Sequence, residues 1–235
     1  MNSEQQSVRR LPVRSPPTWP CELPGELADL RKLVASRYRE LGPEPYWFAR
    51  LKLLLDPMFG RLLDLVGATG HLLDLGAGYG VPAVWLLAHH PELRVTAVES
   101  DARRAQIAAW AMGERGTVHC LQLPRLPRLP AAVDRILLID VIHYVSDELL
   151  KELLTVAARA LSPSGRVVLR DTVPSRALLP WERALESWRL RQKGIPARFR
   201  SADALVMALE RAGLSAAIES TSGREATWLV AQKAV

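Results

Sequence analysis

The stretch His71 to Leu87, HLLDLGAGYGVPAVWLL, decides how the rest of the chain is read. Leu72 to Leu75 reads as an apolar strand ending in a glycine-rich turn, and a helix begins near Val81. Gly76, Gly78 and Gly80 take side chains away where the backbone turns sharply and lets a ligand approach. The helix that follows aims its free N–H groups back at the turn, which suits a polar or anionic group. Val95 to Val98 makes a second apolar strand and ends at Glu99. An acidic side chain roughly 20 residues past the glycines stands where the two hydroxyls of a ribose meet a carboxylate acceptor. The stretch therefore predicts a nucleoside-cofactor site on a parallel sheet.

The nicotinamide fingerprint G-x-G-x-x-G fails here, because its third glycine position is Val81. The spacing is D-x-G-x-G-x-G, from Asp74 through Gly80. With Glu99, and with the runs LLDLGAGYG, VTAVESD and DRILLIDVIHYV, it resembles the class I S-adenosylmethionine-dependent methyltransferases from about Tyr38 to Lys233. The resemblance implies a Rossmann-like α/β fold, with seven mostly parallel strands, an antiparallel final strand and helices on both faces. It implies S-adenosylmethionine as cofactor. Asp74 then sits near the methionine end, Gly76, Ala77, Gly78, Tyr79 and Gly80 cradle the cofactor, and Glu99 holds the ribose, with Ser100 beside it. Asp140 and Val141 lie near the cofactor by the same resemblance. The family commonly places an acidic or polar residue after the third strand to bond the adenine amino group. Here that place reads LQLPRLPRLP, with Leu123 and Pro124 in the expected position, so Gln122, backbone groups or apolar stacking is left to hold the adenine.

A chain of 235 residues with 49% apolar content has enough material for a sizeable core. Asp74 and Asp140 interrupt the best apolar runs, so no membrane span of about 20 residues is predicted. No apolar stretch follows Arg9, Arg10 and Arg14, so no secretory signal is read and a cytoplasmic protein is expected. Cys21 and Cys120 make neither a disulfide framework nor a zinc cluster, and Cys120 is expected in a core strand. The net charge of +6 is open to nucleic acid, anionic lipid, an acidic carrier, or simply heavy use of arginine.

Residues 1–24, rich in Pro, Ser and Arg, read as a flexible tail, and residues 25–66 as a helical cover. Its helices are Gly25 to Glu40, broken by Gly42 and Pro43, and Tyr46 to Val66, read as one longer helix or as two parted near Asp56-Pro57. Residues 67–235 then form the methyltransferase domain, with a helical insertion at about 175–200. Ala102 to Met112 and Asp147 to Leu161 read as helices, and Ser162 to Gly165 as the turn into a strand ending at Asp171. Leu214 to Glu219 and Thr227 to Ala231 read as a closing antiparallel pair. Tyr38, Tyr46, Trp47 and Phe48 are candidates for covering the cofactor, equally open to helix packing.

A sulfonium methyl group is already activated, so the protein's work is alignment and exclusion of water. A hydroxyl, thiol or amine acceptor also loses a proton, and His143, just after the fourth strand, is the candidate base. Its other readings are lining the pocket, orienting the substrate or packing. Tyr46, Tyr144 and Asp171 are the candidate substrate contacts. No histidine has metal spacing. The Asn/Asp-Pro-Pro-aromatic run of nucleic-acid amino-methyltransferases is absent after the fourth strand, and the only Pro-Cys, Pro20-Cys21, lies in the tail. A small-molecule or acyl/lipid-like acceptor is therefore expected, with nucleic acid the less favoured partner. RYRELGPEPYWFARLKLLLDP also resembles a bacterial methyltransferase subgroup linked to lipid or polyene assembly. The apolar and basic residues from Trp181 to Arg200 would then meet an acyl chain and an anionic head or carrier protein. The rival classes are a nucleic-acid methyltransferase, a non-catalytic binder of S-adenosylmethionine, and a nicotinamide oxidoreductase.

Overall fold

In a computed structural model describing residues 15–20, 24–171, 198–220 and 226–234, seven strands join in one sheet. They are β1 (Gly70–Leu75), β2 (Leu93–Glu99), β3 (Gly116–Cys120), β4 (Val133–Ile139), β5 (Leu161–Asp171), β6 (Leu214–Ser220) and β7 (Thr227–Lys233). Their order is β3-β2-β1-β4-β5-β7-β6. Every pairing from β3 through β5 is parallel, and β7 runs antiparallel to both of its neighbours. The predicted mostly parallel sheet with an antiparallel last strand is what the structure has.

The central strands are apolar at nearly every position because helices cover both faces. Leu72, Ala97, Leu137 and Val168 point to one core, which is closed by α1 (Leu27–Ser36), α2 (Pro43–Leu55), α3 (Met58–Val66), α4 (Val81–His89) and α5 (Ala102–Met112). Leu73, Leu75, Ile136, Leu138, Val167 and Leu169 point to the other, closed by α6 (Asp147–Ala160) and α7 (Ala202–Arg211). Ser146 caps α6 by accepting from Leu149 N at 3.2 Å, and Asp101 caps α5 by accepting from Arg104 N at 2.8 Å. Among the described residues no helix is long and apolar enough to cross a membrane.

Several expectations shift. Of the two readings of Tyr46 to Val66, the structure has the two-helix one, parted at Asp56, which is held extended by the proline after it. Gly42 and Pro43 do part the helices: Gly42 ends the turn after α1, and Pro43 sits in the first turn of α2, where a missing N–H costs nothing. Ser162 to Gly165 is not a free turn: pairing of β5 with β4 begins at Leu161 opposite Val133 and resumes at Arg166 opposite Arg135, leaving a bulge between. Cys120 is exposed, not buried in a core strand, because β3 is the sheet edge. Trp19, inside the stretch read as a flexible tail, is buried: its indole N–H donates to Met112 O at 2.8 Å, and the Arg37 guanidinium lies 3.8 Å from its ring centroid. The helical insertion expected at about 175–200 lies, up to residue 197, outside the described residues.

Candidate active site

The site begins where β1 stops. Gly76 N and Ala77 N both donate to Val98 O, at 2.8 and 3.1 Å, so the turn folds toward the end of β2. Gly76, Gly78 and Gly80 all have positive φ. A side chain on Gly76 would run into Val141, while one on Gly78 would meet nothing and would project into the space over the turn. Glu99 is 7% exposed; one carboxylate oxygen accepts Gly78 N at 2.7 Å and the other accepts Asp101 N at 2.9 Å. Oε2 keeps a further lone pair for a ligand hydroxyl, and Oε1 accepts only a long second bond, from Ser100 Oγ at 3.4 Å, which a ligand hydroxyl can replace.

Around this turn lies a cleft of about 670 Å³. Gly76, Ala77, Gly78, Tyr79, Glu99, Ser100, Gln122, Asp140 and Val141 line it, as does Tyr144. Asp74 sits just beneath, 2% exposed, and its Oδ2 has no hydrogen-bond partner among the described residues. Burial, and then the nearby Glu99 charge, push the Asp74 carboxyl up to about 7. A glycine face open to the cleft, a pre-oriented carboxylate and an unpartnered buried carboxyl together fit an adenosyl ligand carrying an ammonium group.

A family model described as a methyltransferase domain matches residues 44–217. The chain belongs to this family. Its fold is that of the class I, S-adenosylmethionine-dependent methyltransferases. Among solved structures, the methyltransferase is similar to the pyocyanin biosynthetic protein PhzM at 20% identity and TM-score 0.64, over 89% of this chain and 62% of that one. An O-methyltransferase family protein from Burkholderia thailandensis aligns at 20% identity and TM-score 0.62, over 85% and 60%. Human N-acetylserotonin methyltransferase, solved with S-adenosylmethionine, aligns at 18% identity and TM-score 0.64, over 90% and 66%. The chain thus spans about three fifths of the first two proteins. No curated protein sequence matches it significantly.

Two of the cofactor candidates of this methyltransferase stay off the cleft wall. Asp74 lies beneath it, and Gly80 instead lets α5 approach, since a side chain there would sit 3.0 Å from Ala108 Cβ. The acid expected near the adenine position is absent, and Gln122 and Leu123 line the cleft in its place. Of the aromatic cover, Phe48 reaches the cleft and packs edge-to-face on Tyr79 at 5.1 Å. Tyr38 is fully buried and its hydroxyl donates to Tyr79 O at 3.0 Å, so it props the turn from below. Tyr46 does not join the cleft; it faces a separate groove between α1 and α2.

His143 and Asp171 are brought together, but behind the wall. His143 is 4% exposed and Asp171 1%, with Nδ1 at 2.5 Å from Oδ1. The His143 ring lies 4.1 Å from the Tyr144 ring, tilted by 52°, and stacks on Phe199 at 5.6 Å; Tyr144, not His143, lines the cleft. The short 3₁₀ turn carrying them, Ile142–Tyr144, is clamped from outside. Arg200 donates to Ile142 O at 2.9 Å and Val145 O at 2.8 Å and pairs with Asp147; Arg198 N donates to His143 O. Arg200 is therefore a brace, not a cation offered to an anionic head.

Sequence reasoning missed Lys52. It lines the cleft from α2 and belongs to a charge network with Asp140, Asp56 and Arg170. Arg170 donates to Asp140 Oδ2 at 2.7 Å and to both Asp56 oxygens at 3.1 Å. Asp140 itself is held at φ +53, a strained conformation for a residue with a side chain. The network pins the end of α2 to the carboxyl edge of the sheet. Its signal was the spacing of Lys52 four residues after Phe48, which puts both on one helix face.

Proposed function

We propose that this methyltransferase moves a methyl group from S-adenosylmethionine to a hydroxyl of a small-molecule acceptor. The observation that carries the reading is the Glu99 carboxylate, fixed against Gly78 N at the floor of the cleft and able to accept two hydroxyls once the long Ser100 bond is exchanged for one of them. Bound S-adenosylmethionine supplies an electrophilic methyl group on sulfur. The chain's own tasks are to hold the ribose at Glu99, to place a cation near Asp74 and to deprotonate the acceptor. Asp171 accepts from Nδ1–H of His143, which fixes the tautomer with the lone pair on Nε2, the arrangement a general base needs. Tyr144 and Phe199 pack against that ring and Tyr144 stands between it and the cleft, so acceptor binding must move Tyr144 for His143 to act. The Burkholderia O-methyltransferase family protein shares the fold, which agrees with oxygen as the acceptor atom. Phe48, Leu123, Val145 and Leu149 give the cleft an apolar wall that suits an aromatic or acyl-bearing acceptor. The acidic carrier expected from Trp181 to Arg200 gains no support, since most of that segment lies outside the described residues and Arg200 is already spent.

Incubation with methyl-labelled S-adenosylmethionine and a panel of phenols, hydroxy acids and fatty acids tests this. An O-methyl product is expected. Labelling of nucleic acid alone, or binding with no transfer to any acceptor, would overturn it.

Asp74 adds a pH dependence. A carboxyl with a raised pKa in the fold favours folding while protonated. Its contribution is complete below about pH 4 and is lost as the pH climbs to about 7. A ligand ammonium set against it favours the carboxylate instead. S-adenosylhomocysteine affinity should therefore rise by about tenfold between about pH 6 and pH 8, with proton release. Calorimetry in buffers of different ionisation heat measures this, and Asp74→Asn should flatten the profile.

A further inference from the structure

Helix α2 is apolar on two faces. Pro45, Ala49 and Leu53 are buried against the core. Trp47, Leu51, Leu54 and Leu55 are 51%, 48%, 65% and 72% exposed and form a second stripe at helical spacing. Alongside this stripe runs the groove between α1 and α2, about 510 Å³, into which Arg31, Lys32, Arg39 and Arg50 project beside Tyr46. No carboxylate lines that groove, and among the described residues only Lys32 of these four has an acidic partner, Asp29 at 2.7 Å. Arg50 donates to the Tyr46 hydroxyl at 3.1 Å, and the Arg39 guanidinium lies 6.0 Å from its ring centroid, so Tyr46 holds two cations in place. Arg50 also stacks on Trp47 at 5.3 Å.

We propose that this face of α2 docks on an anionic lipid surface. A Trp/Leu stripe bordered by Lys and Arg is the pattern by which a helix lies in the interface, with apolar side chains among the acyl chains and cations at the headgroups. The charge complements an anionic bilayer, as does the chain's net charge of +6. A second copy of the chain fits less well, because a two-fold contact on this face sets Arg39 and Arg50 against their own copies. Phe48 and Lys52, farther round the same helix, line the methyl-transfer cleft, so docking would bring the cleft mouth close to the bilayer. The proposal stands apart from the assigned chemistry, since it needs neither cofactor nor turnover.

Co-sedimentation of the full chain with phosphatidylcholine vesicles, with and without phosphatidylglycerol, tests it. Binding to the anionic vesicles alone, weakening as salt is added, is expected. Arg39→Ala with Arg50→Ala should weaken it by about 25-fold, and Trp47→Ser with Leu54→Ser by on the order of tenfold. Both variants should keep wild-type S-adenosylhomocysteine affinity and melting temperature, which separates lost docking from lost folding. Equal binding to neutral vesicles, no binding to anionic ones, or variants that sediment like wild type would overturn the proposal. So would a dimer in ultracentrifugation that the Trp47→Ser, Leu54→Ser variant dissociates.

Discussion

Replacing His143 with alanine should slow methyl transfer to a hydroxyl acceptor by about 10²–10⁴-fold, with S-adenosylhomocysteine affinity nearly unchanged. The split follows from position. His143 lies behind the cleft wall and touches none of the groups that hold the nucleoside, so its loss should leave binding alone. A hydroxyl, by contrast, is a poor nucleophile until its proton leaves. Asp171→Asn should cost a large part of the same factor, because an amide no longer enforces the Nδ1–H tautomer. The rate against pH distinguishes a base from a packing residue. His143→Ala should change the shape of the profile as well as its amplitude. A His143→Ala enzyme with full rate and the same profile would leave Tyr144 and the 3₁₀ turn as mere walls of the cleft.

The second large effect falls on Glu99. Glu99→Ala should weaken S-adenosylhomocysteine binding by about 10²-fold or more. Two charge-assisted hydrogen bonds to ribose are lost, each contributing about 1.5–3 kcal/mol. The truncation also leaves Gly78 N and Asp101 N without the acceptor they share, loosening the turn itself. Glu99→Gln should fall between, since its carbonyl oxygen still accepts one of these donors. Equilibrium titration of the three proteins gives the order, and melting temperatures show how much of the loss comes from the turn.

What the sequence made legible is local. Asp74 to Gly80 and Glu99 were readable because a sharp turn needs positive φ at fixed positions, and only glycine meets that need without strain. The sheet was readable from apolar runs that alternate between two cores. What stayed hidden depends on rotation and distance. Tyr46 and Phe48 are two residues apart on α2, so about 200° separates them, and only Phe48 can face the cleft. His143 follows the right strand, but the 3₁₀ turn sends Tyr144 to the cleft and His143 inward. The partners Asp56 and Arg170 are 114 positions apart, and no spacing rule joins them. Trp19 sits among prolines in a stretch without periodicity, and only the folded arrangement of Arg37 and Met112 gives it a place to dock.

The central claim is that the cleft over the Gly76–Gly80 turn is an adenosyl-sulfonium site. Calorimetric titration of the purified chain with S-adenosylhomocysteine, run in parallel with NAD, tests it most directly. Saturable binding of one S-adenosylhomocysteine per chain, with no heat from NAD, is predicted. No heat from S-adenosylhomocysteine, or saturable binding of NAD in its place, would contradict the account.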